Sequence, residues 1–154
     1  MITETLQEFY QLLPINSSIL AIDYGTKKIG IAISNQERTI AMPVQIIHEI
    51  NQNSQIQAIL TYVKTYSACA IVLGLPINMQ GQTTSQTETV IKFAEKVSQL
   101  TDLPIYLQDE RLTSKAANSL LKSFGIKRKE RNNNDDLIAA SMILETVLDS
   151  MKRL

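Results

Sequence analysis

The 154-residue sequence predicts an α/β fold: a mixed five-stranded sheet in the order 3-2-1-4-5, with helices on both faces and an extra helix at the N-terminus. Three observations predict it. Two runs nearly free of charge, 18–24 and 28–34, face each other across a glycine turn and read as a buried hairpin. Two later apolar runs follow helical patterns, so they read as strands reached by crossovers. Right-handed crossovers lay those two strands parallel to the first.

The elements follow in order. Leu6, Phe9, Tyr10 and Leu13 recur at helical spacing within residues 3–13, with Thr3 or Thr5 as cap and Pro14 as stop. This helix reads as a small appendage on the domain surface. In the hairpin, Gly25 can take a positive φ and Gly30 allows close backbone approach. Residues 38–48 read as a third strand, where Pro43 suggests an edge position or a bulge. Ile56, Ile59, Leu60 and Val63 make 51–66 a helix. Ala68 to Leu73 is the fourth strand, ending in the loop Gly74-Leu75-Pro76-Ile77-Asn78-Met79-Gln80-Gly81. Ser85 and Glu88 have capping-box spacing for a helix to about Leu100. Pro104 starts the fifth strand, Ile105 to Gln108, which ends on Asp109-Glu110. A helix from Thr113 or Ser114 to Phe124, a polar loop over 126–134 and a last helix from Asp135 or Asp136 complete the chain.

This length predicts one domain, 1–154, with residues 1–17 as a helical extension. Fifteen basic and fifteen acidic residues cancel, so any anion-binding surface must be a local patch. One cysteine, Cys69, excludes an internal disulfide, and one histidine, His48, leaves too few ligands for a usual zinc site. No run spans a bilayer and no signal-peptide pattern is present, so the expectation is a cytoplasmic protein that binds no membrane.

Ligands bind where the carboxyl ends of parallel strands share an edge. Asp23, the loop from Gly74 and Asp109-Glu110 converge there from distant points in the chain. The last helix supplies a fourth point. Asp136 steps to Ala140, Ile143, Leu144 and Val147, an apolar face that packs on the sheet. Asp135 steps to Ala139, Met142 and Thr146 and suits the helix cap, which leaves it second choice. Asp23, Glu110 and Asp136 would repel one another unless something neutralises them. Divalent cations such as Mg²⁺ (or Mn²⁺) fit hard oxygen ligands. Two ions ~4 Å apart can clamp a phosphodiester, activate water and stabilise the leaving oxygen. Each acid also has a plainer role: a turn with Thr26 for Asp23, a surface pair with Arg111 or Lys115 for Glu110, a first-turn charge for Asp136. Only their convergence favours chemistry.

The residues Ala21-Ile22-Asp23-Tyr24-Gly25-Thr26-Lys27-Lys28-Ile29-Gly30-Ile31-Ala32 resemble the opening motif of the YqgF (RuvX-like) family. The loop from Gly74 to Gly81, the stretch Asp109-Glu110-Arg111-Leu112-Thr113-Ser114 and the helix from Asp136 to Glu145 resemble its later motifs, in the same order. The likeness covers about residues 18–148. It implies a ribonuclease H-like fold and a metal-dependent nuclease that matures the 5′ end of pre-16S rRNA, with Asp23, Glu110 and Asp136 as catalytic and metal-binding acids. It also implies a possible second substrate, branched DNA, because such proteins have been called Holliday junction resolvases. The sequence departs from the family at the N-terminal helix, at Lys28 where arginine is frequent, at Gln80 where an acid is common, and at Asn132-Asn133-Asn134-Asp135.

Lys27 and Lys28 lie beside Asp23, and Lys122, Lys127, Arg128, Lys129 and Arg131 precede Asp136. Both groups can contact phosphates beside the cut bond. Asn78 can bond the nucleic-acid backbone, Arg111 can orient Glu110 or bind phosphate, and Tyr24 is the aromatic nearest the site. Monomer and homodimer both remain open, as does a non-catalytic nucleic-acid- or nucleotide-binding module.

Overall fold

The computed structural model describes residues 1–25, 27–111 and 128–154, with side chains in the last segment from Leu137 onward. In chain order the elements are β1 (Ile2–Thr3), α1 (Leu6–Gln11), β2 (Ile19–Tyr24), β3 (Ile29–Ser34), β4 (Ala41–Ile47), α2 (Gln52–Thr65), β5 (Ala70–Leu75), α3 (Ser85–Leu100), β6 (Ile105–Asp109) and α4 (Arg128–Met151). They form one sheet in the order β1-β6-β5-β2-β3-β4. The expected five-strand order is present inside it, and β5 and β6 run parallel to β2 as the crossover rule requires. The sixth strand was not expected. Ile2 and Thr3 are too short a segment to show any alternation, and they pair in parallel with Ile105 and Tyr106.

The N-terminal segment is therefore more than a surface appendage. Its helix is shorter than the 3–13 predicted, and Thr5 caps it by accepting from the Glu8 amide at 3.1 Å. Phe9 is fully buried and its ring lies 5.6 Å from Tyr106 of β6. Arg38, held at a positive φ of 58°, donates to the carbonyls of Pro14 and Ser17 at 2.9 and 3.1 Å. A strand, a core ring and a guanidinium clasp thus tie residues 1–17 to the sheet.

The two faces of the sheet have separate cores. Leu20, Ile22, Ile31, Ile71 and Leu73 pack under α2 and α3, with Ile56, Ile59, Val90 and Phe93 opposite. Ile19, Ala21, Ala32, Ala70 and Val72 pack under α1 and α4, with Ala140, Ile143, Leu144 and Val147 opposite. Small residues on this second face let the long α4 lie close to the strands. Each fully buried Ile, Leu or Val contributes about 1.5–3 kcal/mol. Several such contacts fix α4 over β2 and can outweigh one unfavourable charged pair at the rim.

Local details correct several expectations. Gly25 has no positive φ. It is glycine because a Cβ there would lie 2.7 Å from the Lys28 carbonyl oxygen, to which the Gly25 amide donates at 2.9 Å. The cap of α3 is Thr84 with Thr87, not Ser85 with Glu88. Thr87 also donates to the Pro76 carbonyl and so ties the Gly74 loop to that helix. Pro43 sits on the edge strand β4 and beside a register shift between Ile31 and Ala32, which satisfies both readings of it. The last helix starts at Arg128, so neither Asp135 nor Asp136 begins it and Asp135 is not its cap. Apolar contacts set where that helix packs, but its length runs back through a polar stretch without periodicity. The helix predicted from Thr113 or Ser114 lies outside the described residues.

Candidate nuclease site

Alternation along β2 sends Ile19, Ala21 and Asp23 to the α4 face, and Leu20, Ile22 and Tyr24 to the α3 face. Tyr24 accordingly stacks on Phe93 of α3, with centroids 4.0 Å apart. Its ring is committed to packing on the side away from Asp23. On β5 and β6 the same alternation brings Val72 and Gly74, and Tyr106, Gln108 and Glu110, to the α4 face. The Glu110 amide extends the β6 pairing by donating to the Leu75 carbonyl at 3.1 Å.

Asp23 lies between two glycines. Across β3 its partner is Gly30, and on β5 Gly74 follows Leu73, the partner of Ile22. A Cβ at Gly74 would collide with Glu110 Oε1, and would lie 2.6 Å from the Glu110 carboxyl carbon and 2.5 Å from Ile143 Cδ1. The Glu110 carboxyl therefore occupies the space that a side chain at position 74 would take. It lies there against Asp23, and when protonated it hydrogen-bonds to the Asp23 carboxylate.

This placement raises the Glu110 pKa from 4.5 to about 8, through burial first, then the Asp23 charge and hydrogen bond, then Asp109. A metal-free folded chain thus keeps a proton that the unfolded chain releases above pH 4.5. Glu110 supports the fold fully below pH 4.5, and that support is lost as pH rises toward 8. In chelator, the melting temperature is expected to fall by several degrees between pH 5 and 8.5, and Glu110→Gln should flatten the slope. A slope unchanged by Glu110→Gln would show that Glu110 is not the group responsible.

Asp109 behaves in the opposite way. Arg111 hydrogen-bonds and ion-pairs to it, with the closest contact 2.7 Å, which holds its pKa below the usual range. Arg111 therefore pairs with Asp109, not with Glu110 as the sequence reading allowed. Alternation explains the choice, because Asp109 and Glu110 point to opposite faces.

A cleft of about 380 Å³ opens over the acid pair. Its walls are Pro76, Ile77 and Met79 of the glycine loop, Gln86 of α3, Arg111, and Ala139 of α4. Asn78 shapes this loop by accepting from the Gln80 and Gln82 amides at 3.1 and 2.8 Å. Its carbonyl oxygen is thus committed to the turn. Lys27 and Lys28 are exposed on the hairpin beside Asp23. The helical backbone carries Asp136 one turn before Ala140, whereas the side chains of Asp136 and Arg128, and all of Lys127, lie outside the described residues. Gln86 and Met79 were not singled out from the sequence, since neither belongs to a chemical motif. The clearance at Gly74 had one visible signal, a glycine at the end of a buried strand.

The donor set fits a hard divalent cation. Asp23 and Glu110 present carboxylate oxygens on one face, and their mutual repulsion is what such an ion relieves. Among the described residues no cluster of three or more His, Cys, Asp or Glu forms, so a third carboxylate would have to come from beyond them.

A mixed sheet in this order, with an acid pair on its carboxyl edge, is a ribonuclease H-like α/β fold. The chain belongs to the RuvX family, described as Holliday junction resolvase, which matches residues 17–150. It is 62% identical to a Rickettsia felis protein over 154 residues, all of both chains, and 63% identical to one from Rickettsia bellii over the same span. Both carry the name "Putative pre-16S rRNA nuclease". The fold is similar to Thermus thermophilus RuvC bound to a Holliday junction substrate: TM-score 0.57, 12% identity, 88% of this chain and 96% of the other covered. It is also similar to Fowlpox virus resolvase bound to junction DNA: TM-score 0.51, 15% identity, 87% and 98% covered.

Proposed function

We propose that this chain is a single-domain, divalent-metal-dependent nuclease that hydrolyses phosphodiester bonds at the 5′ end of pre-16S rRNA. The observation that carries the reading is the Asp23–Glu110 pair seated over Gly74 in an open cleft. Asp23, Glu110 and Asp136 would hold Mg²⁺ or Mn²⁺. When bound, these ions supply Lewis acidity at the phosphodiester and activate water. The chain's own groups do the rest. Asp23 and Glu110 would hold the ions at the sheet edge and so set where the reacting phosphate lies. Lys27, Lys28, Lys127 and Arg128 contact flanking phosphates, which orient a strand without reading its sequence. Arg111, tethered by Asp109, keeps guanidinium N–H groups for a phosphate oxygen. Asn78 contributes by shaping the loop, and Pro76, Ile77 and Met79 form a partly apolar wall. A ribosomal RNA substrate would place the protein in the cytoplasm; no helix among the described residues is long and apolar enough to cross a membrane.

The second reading is a DNA junction resolvase, favoured by the family description and by the two junction-bound structural neighbours. One assay separates the two. With Mg²⁺, a pre-16S 5′ fragment is expected to be cut at least tenfold faster than a four-way DNA junction at equal concentration. Faster cutting of the junction would replace the RNA reading. Binding without cleavage of either substrate would leave a nucleic-acid-binding module.

A further inference from the structure

The acid cleft does not end at Gln86. That side chain also walls a second cavity of about 380 Å³, formed with Tyr24, Gly25, Ser85, Thr89 and, at its floor, Val90. Thr89 in turn walls a third, also about 380 Å³, formed with Gln52 of α2 and with Lys92, Lys96 and Gln99. Three cavities thus lie in succession from the acid pair along α3, neighbours sharing Gln86 and Thr89 as walls, and together they outline a groove.

The sequence of α3 explains the lining. Ser85, Thr89, Lys92, Lys96 and Gln99 recur at spacings of four, three, four and three, which puts them on one stripe. All five are exposed, whereas Thr87, Val90, Phe93, Ala94 and Val97 are buried on the opposite side. The stripe is polar throughout and carries two ammonium groups. From Ser85 to Lys96 it runs about 17 Å along the helix, room for several nucleotides. Lys96 donates to Gln52 Oε1 at 2.5 Å, which holds its head in the groove and leaves two further N–H donors. Glu95 stands on the same wall and partly offsets the charge.

We infer that this groove is a track for a single nucleic-acid strand leaving the acid pair, with Lys92 and Lys96 contacting backbone phosphates several nucleotides from the cut bond. Gln86, Ser85 and Thr89 line the path between the two ends through neutral hydrogen-bonding groups, so the track reads the strand's backbone. The inference rests on the nuclease reading for its starting point, the acid pair.

Binding is measured by fluorescence anisotropy in the Asp23→Asn background, with labelled oligouridylates of three and twelve nucleotides. The parent is expected to bind the 12-mer far more tightly than the 3-mer. Adding Lys92→Ala and Lys96→Ala should weaken the 12-mer about 25-fold at 0.1 M salt relative to 1 M, equivalent to a loss of about 1.4 in the log–log salt slope. The 3-mer should change little by comparison, and Glu95→Gln should tighten the 12-mer. An oligodeoxythymidylate 12-mer should lose as much as the RNA, because phosphate is the shared group. Equal losses for short and long oligomers, an unchanged salt slope, or a loss confined to RNA would each overturn the track. A lysine-dependent preference for the 12-mer, in a wild-type chain that cleaves nothing, would retain the track and overturn the nuclease reading instead.

Discussion

Asp23→Asn is expected to abolish metal-dependent cleavage, with a loss of ~10³-fold or more. The substitution keeps the side chain's size and removes its charge. A hard cation at the sheet edge then loses a negative ligand, and metal-assisted stabilisation of several kcal/mol goes with it. The fold should not suffer. In the metal-free chain Asp23 is an unfavourable neighbour once Glu110 ionises above about pH 8. Above that pH the variant should therefore melt in chelator at the same temperature as wild type or higher, and Glu110 should titrate closer to the usual carboxylate range. Single-turnover cleavage and a thermal melt check both halves. Cleavage within tenfold of wild type would remove Asp23 from the reaction. Lost activity with a lowered melting temperature would point to damage to the fold instead.

Gly74→Ala carries the second large effect, although it adds one carbon and no charge. Its Cβ would overlap the Glu110 carboxyl and press on Ile143 Cδ1. The Glu110 carboxyl ends a flexible side chain and would swing away from its place beside Asp23, whereas Ile143 is fully buried in the core that seats α4. Overpacking of this kind costs about 1–3 kcal/mol of stability. A shift of about 1 Å in a catalytic group costs about 10²-fold in rate. The expected result is a modest fall in melting temperature together with a roughly hundredfold loss of cleavage, and with weaker Mg²⁺ binding by calorimetry. Wild-type activity in Gly74→Ala would mean that Glu110 works from a position other than the one over Gly74.

Much of the fold was legible because burial leaves a periodic trace. The uncharged runs of β2, β3 and β5 and the spacing of Val90, Phe93 and Val97 all follow from which side faces a core. The acids Asp23 and Glu110 were legible for a related reason, since a carboxylate at the end of a buried strand is costly without a use. Other features left no such trace. Ile2 and Thr3 make a strand only because β6 offers a parallel partner, which no local pattern announces. Arg111 follows both Asp109 and Glu110, and only the facing of β6 decides that it pairs with the first. The α3 stripe was not singled out from the sequence, because its relation to the acid pair depends on cavities walled by separate elements.

The two-residue strand β1 has a bearing on the borders of the sheet. Without it, β6, the strand that ends at the acid pair, would lie at the margin of the sheet with open backbone donors and acceptors. Such a margin invites another chain to add a strand. Ile2 and Thr3 occupy the start of that margin, and the Ile105 amide is already engaged by the Met1 carbonyl at 2.8 Å. At the far margin, Pro43 and the register shift beside it interrupt β4. Each border of the sheet thus carries its own guard against self-templating, and the one next to the acids is made from the first residues of the chain.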